Sequence, residues 1–273
     1  MAKPAQKFFS AIVGLLSTIL VLSASGLRAQ QSITVSIGDT AISSKDFKPH
    51  QASYQTSVVL PDGKSYDTGI FSEEIRRKEI NGKPVIEVVQ TWGQKVHKEV
   101  NPGWAARGLT MVNWTLTNVV DGKTLAPAMS SSMNDLKNYQ QIEFDGLTVK
   151  ETNSTRPPSD NVLKSETKLE RPVFNYQAGL FGLLLARFPL KEGYSARIPT
   201  YKPSSGTEAG KLEWVSFKVT GKETVTTSTG KKFAAWVVEV DDKNTFWLSS
   251  ESPYVIKSVN LGTPNRKWLF EVR

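Results

Sequence analysis

Short alternating runs of apolar and polar residues, each closed by a tight-turn pair, recur along this chain and leave it few options besides an antiparallel sheet. Val85, Ile86, Val88 and Val89 follow Asn81-Gly82, and Asp145-Gly146 separates Ile142 and Phe144 from Leu147 and Val149. Such pairs mark hairpins because Gly, and to a lesser extent Asn and Asp, tolerates the positive φ that a two-residue turn needs. Between turns, a period of two sends successive side chains to opposite faces. Val112, Trp114 and Leu116 therefore share one face, with Asn113, Thr115 and Thr117 on the other, until Asp121-Gly122 ends the run.

The last third repeats the pattern with larger side chains. Val215, Phe217 and Val219 point one way, opposite Trp214, Ser216 and Lys218, and Gly221-Lys222 reads as a turn into a strand over 223–227. Gly230 then precedes "KKFAAWVVEV", in which Ala234, Trp236, Val238 and Val240 form one face, while Phe233, Ala235 and Val237 make the other apolar too. A strand apolar on both faces belongs inside a sheet and is covered on both sides. Residues 241–244 turn the chain into a strand over 245–249, and runs at 254–259 and 267–272 continue the meander.

One segment breaks the alternation. "RPVFNYQAGLFGLLLARFPLKEG", residues 171–193, has contiguous leucines. It reads as a helix over 176–187, with Asn175 as N-cap and Pro189 as a stop. Being apolar nearly all round, this helix must be covered on most sides. It is either an ordinary core helix lying across the sheet or a plug over a greasy cavity, with Gly179 and Gly182 allowing close packing or movement. The polar stretches 152–161 and 201–210 read as loops flanking it. Roughly 240 residues fit one β domain, so the expectation is a single domain over 30–273. Its class is mainly β: a curved antiparallel sheet, half-barrel or open barrel, covered or plugged by that one helix.

Residues 1–29 have the order of a secretory signal peptide. Lys3 and Lys7 precede an apolar run from Phe8 to Leu22, and small residues lead to Ala29. The run is short for a membrane span, so cleavage after Ala29, or near Gly26, is expected rather than an uncleaved anchor. The chain has no cysteine, so neither disulfides nor a lipidated cysteine hold the exported product. That composition fits a bacterial periplasm or exterior. Asn113-Trp114-Thr115 and Asn153-Ser154-Thr155 are then chance sequon matches. Loss of Lys3, Lys7 and Arg28, with no acids, takes the net charge from +8 to +5. A basic balance favours anionic surfaces, but the cations are scattered without a nucleic-acid motif. Arg76-Arg77-Lys78 reads as a solvated strand face.

No complete reaction centre can be assembled. Ser249, Ser250 and Ser252 lack a neighbouring base, no G-x-S-x-G elbow is present, and His50 and His97 are the only histidines. His97 reads as a strand or loop residue, and His50 beside Pro49 as an exposed loop residue. Zinc and calcium ligand spacings are missing. Glu73-Glu74 are neighbours in a strand and point to opposite faces, and Asp241-Asp242 sit in a turn, so neither pair suits glycosidase chemistry. No catalytic residue, metal site or cofactor is expected. Aromatics concentrate near the C-terminus, among them Trp214, Trp236, Phe246, Trp247, Tyr254, Trp268 and Phe270. Most belong to the core. If the sheet is open, Phe181, Leu184, Trp236, Phe246, Trp247 and Tyr254 are the candidates to line a ligand groove.

The phrases "FPLKEGYSARIPTY", "FKVTGKETVTTSTGKKFAAWVVEV" and "TFWLSSESPYVIKSV", with "DGKTLAPAMSS" and "IEFDGLTVKET" in the first half, resemble an uncharacterised family of secreted bacterial proteins, the domain-of-unknown-function family numbered 3108. The resemblance covers most of the chain and rests on turns and strands, not on catalytic signatures. It implies an antiparallel half-barrel comparable to periplasmic lipoprotein and lipid carriers, and it assigns no activity or site residues. The leading expectation is a non-enzymatic envelope protein that binds a lipid or other hydrophobic small molecule, with no nucleic-acid partner and no membrane span after signal cleavage. The alternatives are a module that pairs its edge strands with another envelope protein, and a hydrolase whose carboxylates are assembled only by the fold.

Overall fold

The computed structural model describes residues 32–42, 47–154, 162–175, 178–204, 208–241, 243–262 and 266–273. The segment 1–29, residues 176 and 177 of the expected helix, and residues 155–161 and 205–207 of the two polar stretches lie outside the described residues. Chain order runs β1 (Ile33–Thr34), β2 (His50–Val59), β3 (Ser65–Ile80), β4 (Lys83–Lys95), the helical turn α1 (Pro102–Ala105), β5 (Met111–Asp121) and β6 (Pro127–Asn134). It continues with β7 (Tyr139–Asp145), β8 (Thr148–Ser154), β9 (Val162–Lys168), β10 (Phe174–Asn175), helix α2 (Ala178–Leu185) and β11 (Ser195–Lys202). Last come β12 (Lys211–Thr226), β13 (Lys232–Val240), β14 (Asn244–Leu248), β15 (Val255–Gly262) and β16 (Arg266–Val272).

All sixteen described strands join one sheet that stays open: β11 to β16 run in sequence order, β16 then pairs with β2, and β2 to β9 follow. The pairings are antiparallel except where β1 and β10 add short parallel pieces to β11. Hairpin chemistry accounts for the local order. Asn81 and Gly82 have φ of 52° and 75°, the doubly positive turn that matches strand twist. The long-range step is β16·β2, where Phe270 faces Thr56 and Val272 faces Tyr54.

The expected turn at Gly221-Lys222 is not there. β12 runs straight through it, and a bulge at Thr220 lets Val219 pair with Val238 and Gly221 with Val237. The extra residue switches which side chains face inward. Val225, which pairs with Phe233, is buried. The hairpin tip reaches β16, where the Ser228 amide donates to the Glu271 carboxylate at 2.6 Å. β13 is buried at Ala235, Val238 and Val240 but exposed at Ala234 and Glu239, so its two apolar faces are only partly covered.

Helix α2 ends at Leu185, two residues short of the expected 187, and Asn175, expected as its N-cap, is a strand residue. Asn175 belongs to β10, opposite Tyr201, and its side-chain amide donates to Asn118 at 2.9 Å. The helix lies against the sheet with Leu180, Leu183, Leu184 and Leu185 all at 5 % exposure or less. Burial of each contributes about 1.5–3 kcal/mol. Gly182 makes the contact possible: a Cβ there would sit 2.9 Å from Val255 Cγ2 and 3.1 Å from Phe246 Cε1.

A second, smaller core of Ile142, Val149, Leu169, Val173 and Tyr201 joins β7 and β8 to β11 through side chains rather than a backbone ladder. Its polar clasp is Glu151, 1 % exposed, which accepts bonds from the Tyr201 hydroxyl and from the amide and hydroxyl of Ser204. Burial, then the hydrogen bond to this carboxylate, raises the Tyr201 phenol pKa. Tyr54 is raised likewise, by burial first and then by the charge and hydrogen bond of Glu73. Above the ordinary phenol value of 10.0 the unfolded chain gives up these protons while the fold keeps them. The unfolded state then binds fewer protons, so stability is whole below that pH and falls as pH rises beyond it. Urea titrations between about pH 10 and 12 should show this decline, and the double variant Tyr54→Phe, Tyr201→Phe should flatten it. An unchanged slope in the double variant would refute the assignment.

Candidate functional site

The seam where β16 meets β2 carries a groove on the inner face of the sheet. Register builds it: Tyr54, Phe71, Trp92 and Trp114 stand directly opposite one another across β2, β3, β4 and β5. A neighbouring row runs from Phe246 through Ser258 to Phe270 on β14, β15 and β16. Side chains opposite on one face lie close enough for rings to touch. Phe71 meets Phe270 edge-on at 5.5 Å, Trp92 meets Trp268 edge-on at 5.7 Å, and Trp104 of α1 lies 6.4 Å from Trp114.

Two cavities share the walls Trp92, Leu116, Ser132, Phe246, Asn260 and Phe270. The inner one, about 240 Å³, reaches Tyr54, Glu73 and Gly182. The outer one, about 740 Å³, extends past Trp104, Phe181 and Trp268. Together they are of the size and apolar character of small-molecule sites.

Trp92 is fixed in this wall by a bulge. Thr56 faces Gly69 and Ser57 faces Asp67, so Thr68 is the extra residue. The Trp92 indole N–H donates to Thr56 Oγ1 at 3.1 Å and to the Thr68 carbonyl at 3.2 Å. Thr68 Oγ1 donates to Thr56 Oγ1, which in turn donates to the Gly69 carbonyl. The hydroxyl of Thr56 therefore has its full complement of partners.

Glu73 closes the inner end, at 4 % exposure, while its neighbour Glu74 faces outward and pairs with Arg76. The opposite-face reading of this pair holds. The Glu73 carboxylate accepts from Gln90 Nε2 at 2.8 Å and from the Tyr54 hydroxyl at 3.4 Å. His50 is no exposed loop residue. Pairing with Ile75 at the start of β2 draws its ring inward, with the side chain 7 % exposed, Nε2 3.5 Å from Glu73 Oε1 and the ring 5.0 Å from Tyr254. A buried carboxylate needs such company, because desolvation of the bare ion costs several kcal/mol or more.

Of the residues singled out from sequence, the groove brings together Phe181 and Phe246. Leu184 lines a separate small void with Phe47 and Ile86. Trp236 and Tyr254 line a more polar cavity of about 780 Å³ with Lys48 and Arg187. Arg187 is buried there, its guanidinium 4.3 Å from the Tyr254 ring centre and 4.9 Å from that of Phe47. Trp247 lies on the other face, its indole bonded to Glu223 and the Lys257 ammonium 5.2 Å from the ring centre. Trp92, Trp104 and Trp114 were not among the sequence candidates. The alternation around Trp114 marks its face but not what that face meets.

No helix among the described residues is long and apolar enough to cross a membrane. No curated protein and no solved structure matches the chain. A family model described as protein of unknown function (DUF3108) matches residues 54–265, which takes in most of β2, all of β3 to β15 and most of the groove wall. With the greater part of its length matched, and with the curved sheet laid out above, the chain belongs to the DUF3108 family.

Proposed function

We propose that this chain is a non-enzymatic binding protein of an exported compartment, and that the groove holds a lipid or another hydrophobic small molecule with an alkyl chain. The observation that carries the reading is the pair of adjacent cavities, sharing six wall residues, lined by Trp92, Trp104, Trp114, Trp268 and Phe270, all only half-buried. Aromatic faces left in a concavity gain by covering, about 25 cal/mol per Å² of apolar surface removed from water. The carboxylate at the inner end is already engaged by Gln90 and Tyr54, which favours a binding role over acid–base chemistry. The order of residues 1–29 supports export.

The test is a chain-length series of n-alkyl alcohols, followed by tryptophan fluorescence and accompanied by mass spectrometry of the gently purified protein. Each added methylene should tighten binding by about fourfold, the equivalent of about 0.8 kcal/mol. Affinities that stay flat between about eight and fourteen carbons would count against an alkyl-chain groove.

A second reading has one observation in its favour. Val162 and Leu163 on β9, the terminal strand of the sheet order, are 52 % and 55 % exposed. An edge strand with exposed apolar side chains is a template for pairing with another chain. A photo-crosslinker at Leu163 that captures no partner in cells would remove this reading.

A further inference from the structure

We infer that the ligand of the groove carries an uncharged, hydroxyl-rich head group, such as a sugar or polyol, and that this head occupies the outer cavity; this rests on the groove being a ligand site. Charge comes first. The chain has 34 Lys and Arg against 26 Asp and Glu, yet among the described residues no Lys or Arg lines either cavity. The one charged lining residue, Glu73, borders only the inner cavity. A carboxylate or phosphate head would lose its water there and meet no cation, which is costly.

The outer wall is instead built of neutral polar groups and flat rings. Gln94, Asn101, Asn244 and Asn260 line it together with Trp92, Trp104 and Trp268. The Trp92 indole N–H is already taken by Thr56 and Thr68, so this residue offers the ligand its ring. Apolar C–H faces of a sugar pack on such rings, while its hydroxyls both donate to and accept from amides.

Two buried polar atoms of the groove residues sharpen the choice. Asn101 Oδ1, an acceptor, and Trp114 Nε1, a donor, have no hydrogen-bond partner among the described residues. Asn101 lines the outer cavity and Trp114 the inner one. Unpaired buried groups are costly and reward a ligand that satisfies them. A hydroxyl can serve either atom, whereas an ionised carboxylate or phosphate oxygen only accepts and would repel Asn101 Oδ1.

The experiment compares three amphiphiles with the same dodecyl chain, dodecyl maltoside, dodecanol and dodecyl phosphate, titrated below micelle-forming concentrations against tryptophan fluorescence. The maltoside should bind about tenfold more tightly than the other two. Asn101→Leu should remove most of that advantage, weakening the maltoside at least about fivefold more than it weakens dodecanol; the Asn101 side chain makes no capping bond to α1, and a retained melting temperature checks that the variant folds. Dodecyl phosphate binding as tightly as the maltoside, or all three binding alike, would overturn the head-group assignment while leaving the alkyl groove standing. Failure of all three to bind would overturn both.

Discussion

Gly69→Ala is expected to destabilise the fold by about 3–5 kcal/mol and to loosen Trp92 in the groove wall. Two separate costs meet at this position. Gly69 has φ of +103°, and a Cβ there would lie 2.0 Å from the Gly93 carbonyl oxygen. Backbone strain alone costs an L-residue of the order of 1–3 kcal/mol. The collision adds to it because the obstacle is main chain in the paired strand β4, which cannot rotate away. Gly146→Ala separates the two costs, since Gly146 also has positive φ, +61°, but a Cβ added there would meet nothing within 4 Å. Its loss should stay near about 1–2 kcal/mol. Urea denaturation of both variants checks the difference, and equal losses would mean that the close approach at Gly69 is immaterial. Because the bulge supplies both acceptors of the Trp92 indole, Gly69→Ala should also red-shift tryptophan emission in the protein that remains folded.

Ser132→Trp should weaken binding of an alkyl ligand by roughly a hundredfold, the equivalent of about 2.7 kcal/mol. Ser132 lies opposite Leu116 and lines both cavities. An indole at this position fills space that a ligand would otherwise use. Excluding three or four methylenes at about 0.8 kcal/mol each gives an effect of that size. The added ring enters a groove rather than a packed core, so the cost to stability should stay below about 1 kcal/mol, unlike true overpacking. Met133→Trp is the control: Met133 is the next residue on β6, points to the other face and is 55 % exposed. It should leave both affinity and melting temperature unchanged. Unaltered binding by Ser132→Trp, with fold and melting temperature retained, would place the ligand elsewhere.

The hairpins at Asn81-Gly82 and Asp145-Gly146 were legible because a turn is decided by the residues inside it. The apolar helix was legible for a similar reason, although its described extent, Ala178–Leu185, is shorter, and Asn175 went to a strand, where Tyr201 and Asn118 claim it. Gly221 misled because a glycine can mark a turn or a bulge, and only the pairing of β12 with β13 distinguishes them. His50 misled because its burial comes from Tyr254 and Glu73, which are remote in sequence.

The candidate groove divides along the same line. Alternation put Trp114 and Leu116 on a common face, and the C-terminal aromatics announced a second apolar surface. That these surfaces meet depends on β16 pairing with β2, a contact between opposite ends of the described chain.

The amino-acid sequence alone determined the strand-and-turn grammar, the inward and outward sides of most strands and the presence of an apolar element to be covered. All of these follow from steric and solvation preferences acting over a few residues. Tertiary structure alone decided which faces oppose one another, which aromatics are core and which line a cavity. Those outcomes depend on the summed twist, bulges and edge pairing of the whole sheet, and no short window of residues contains them.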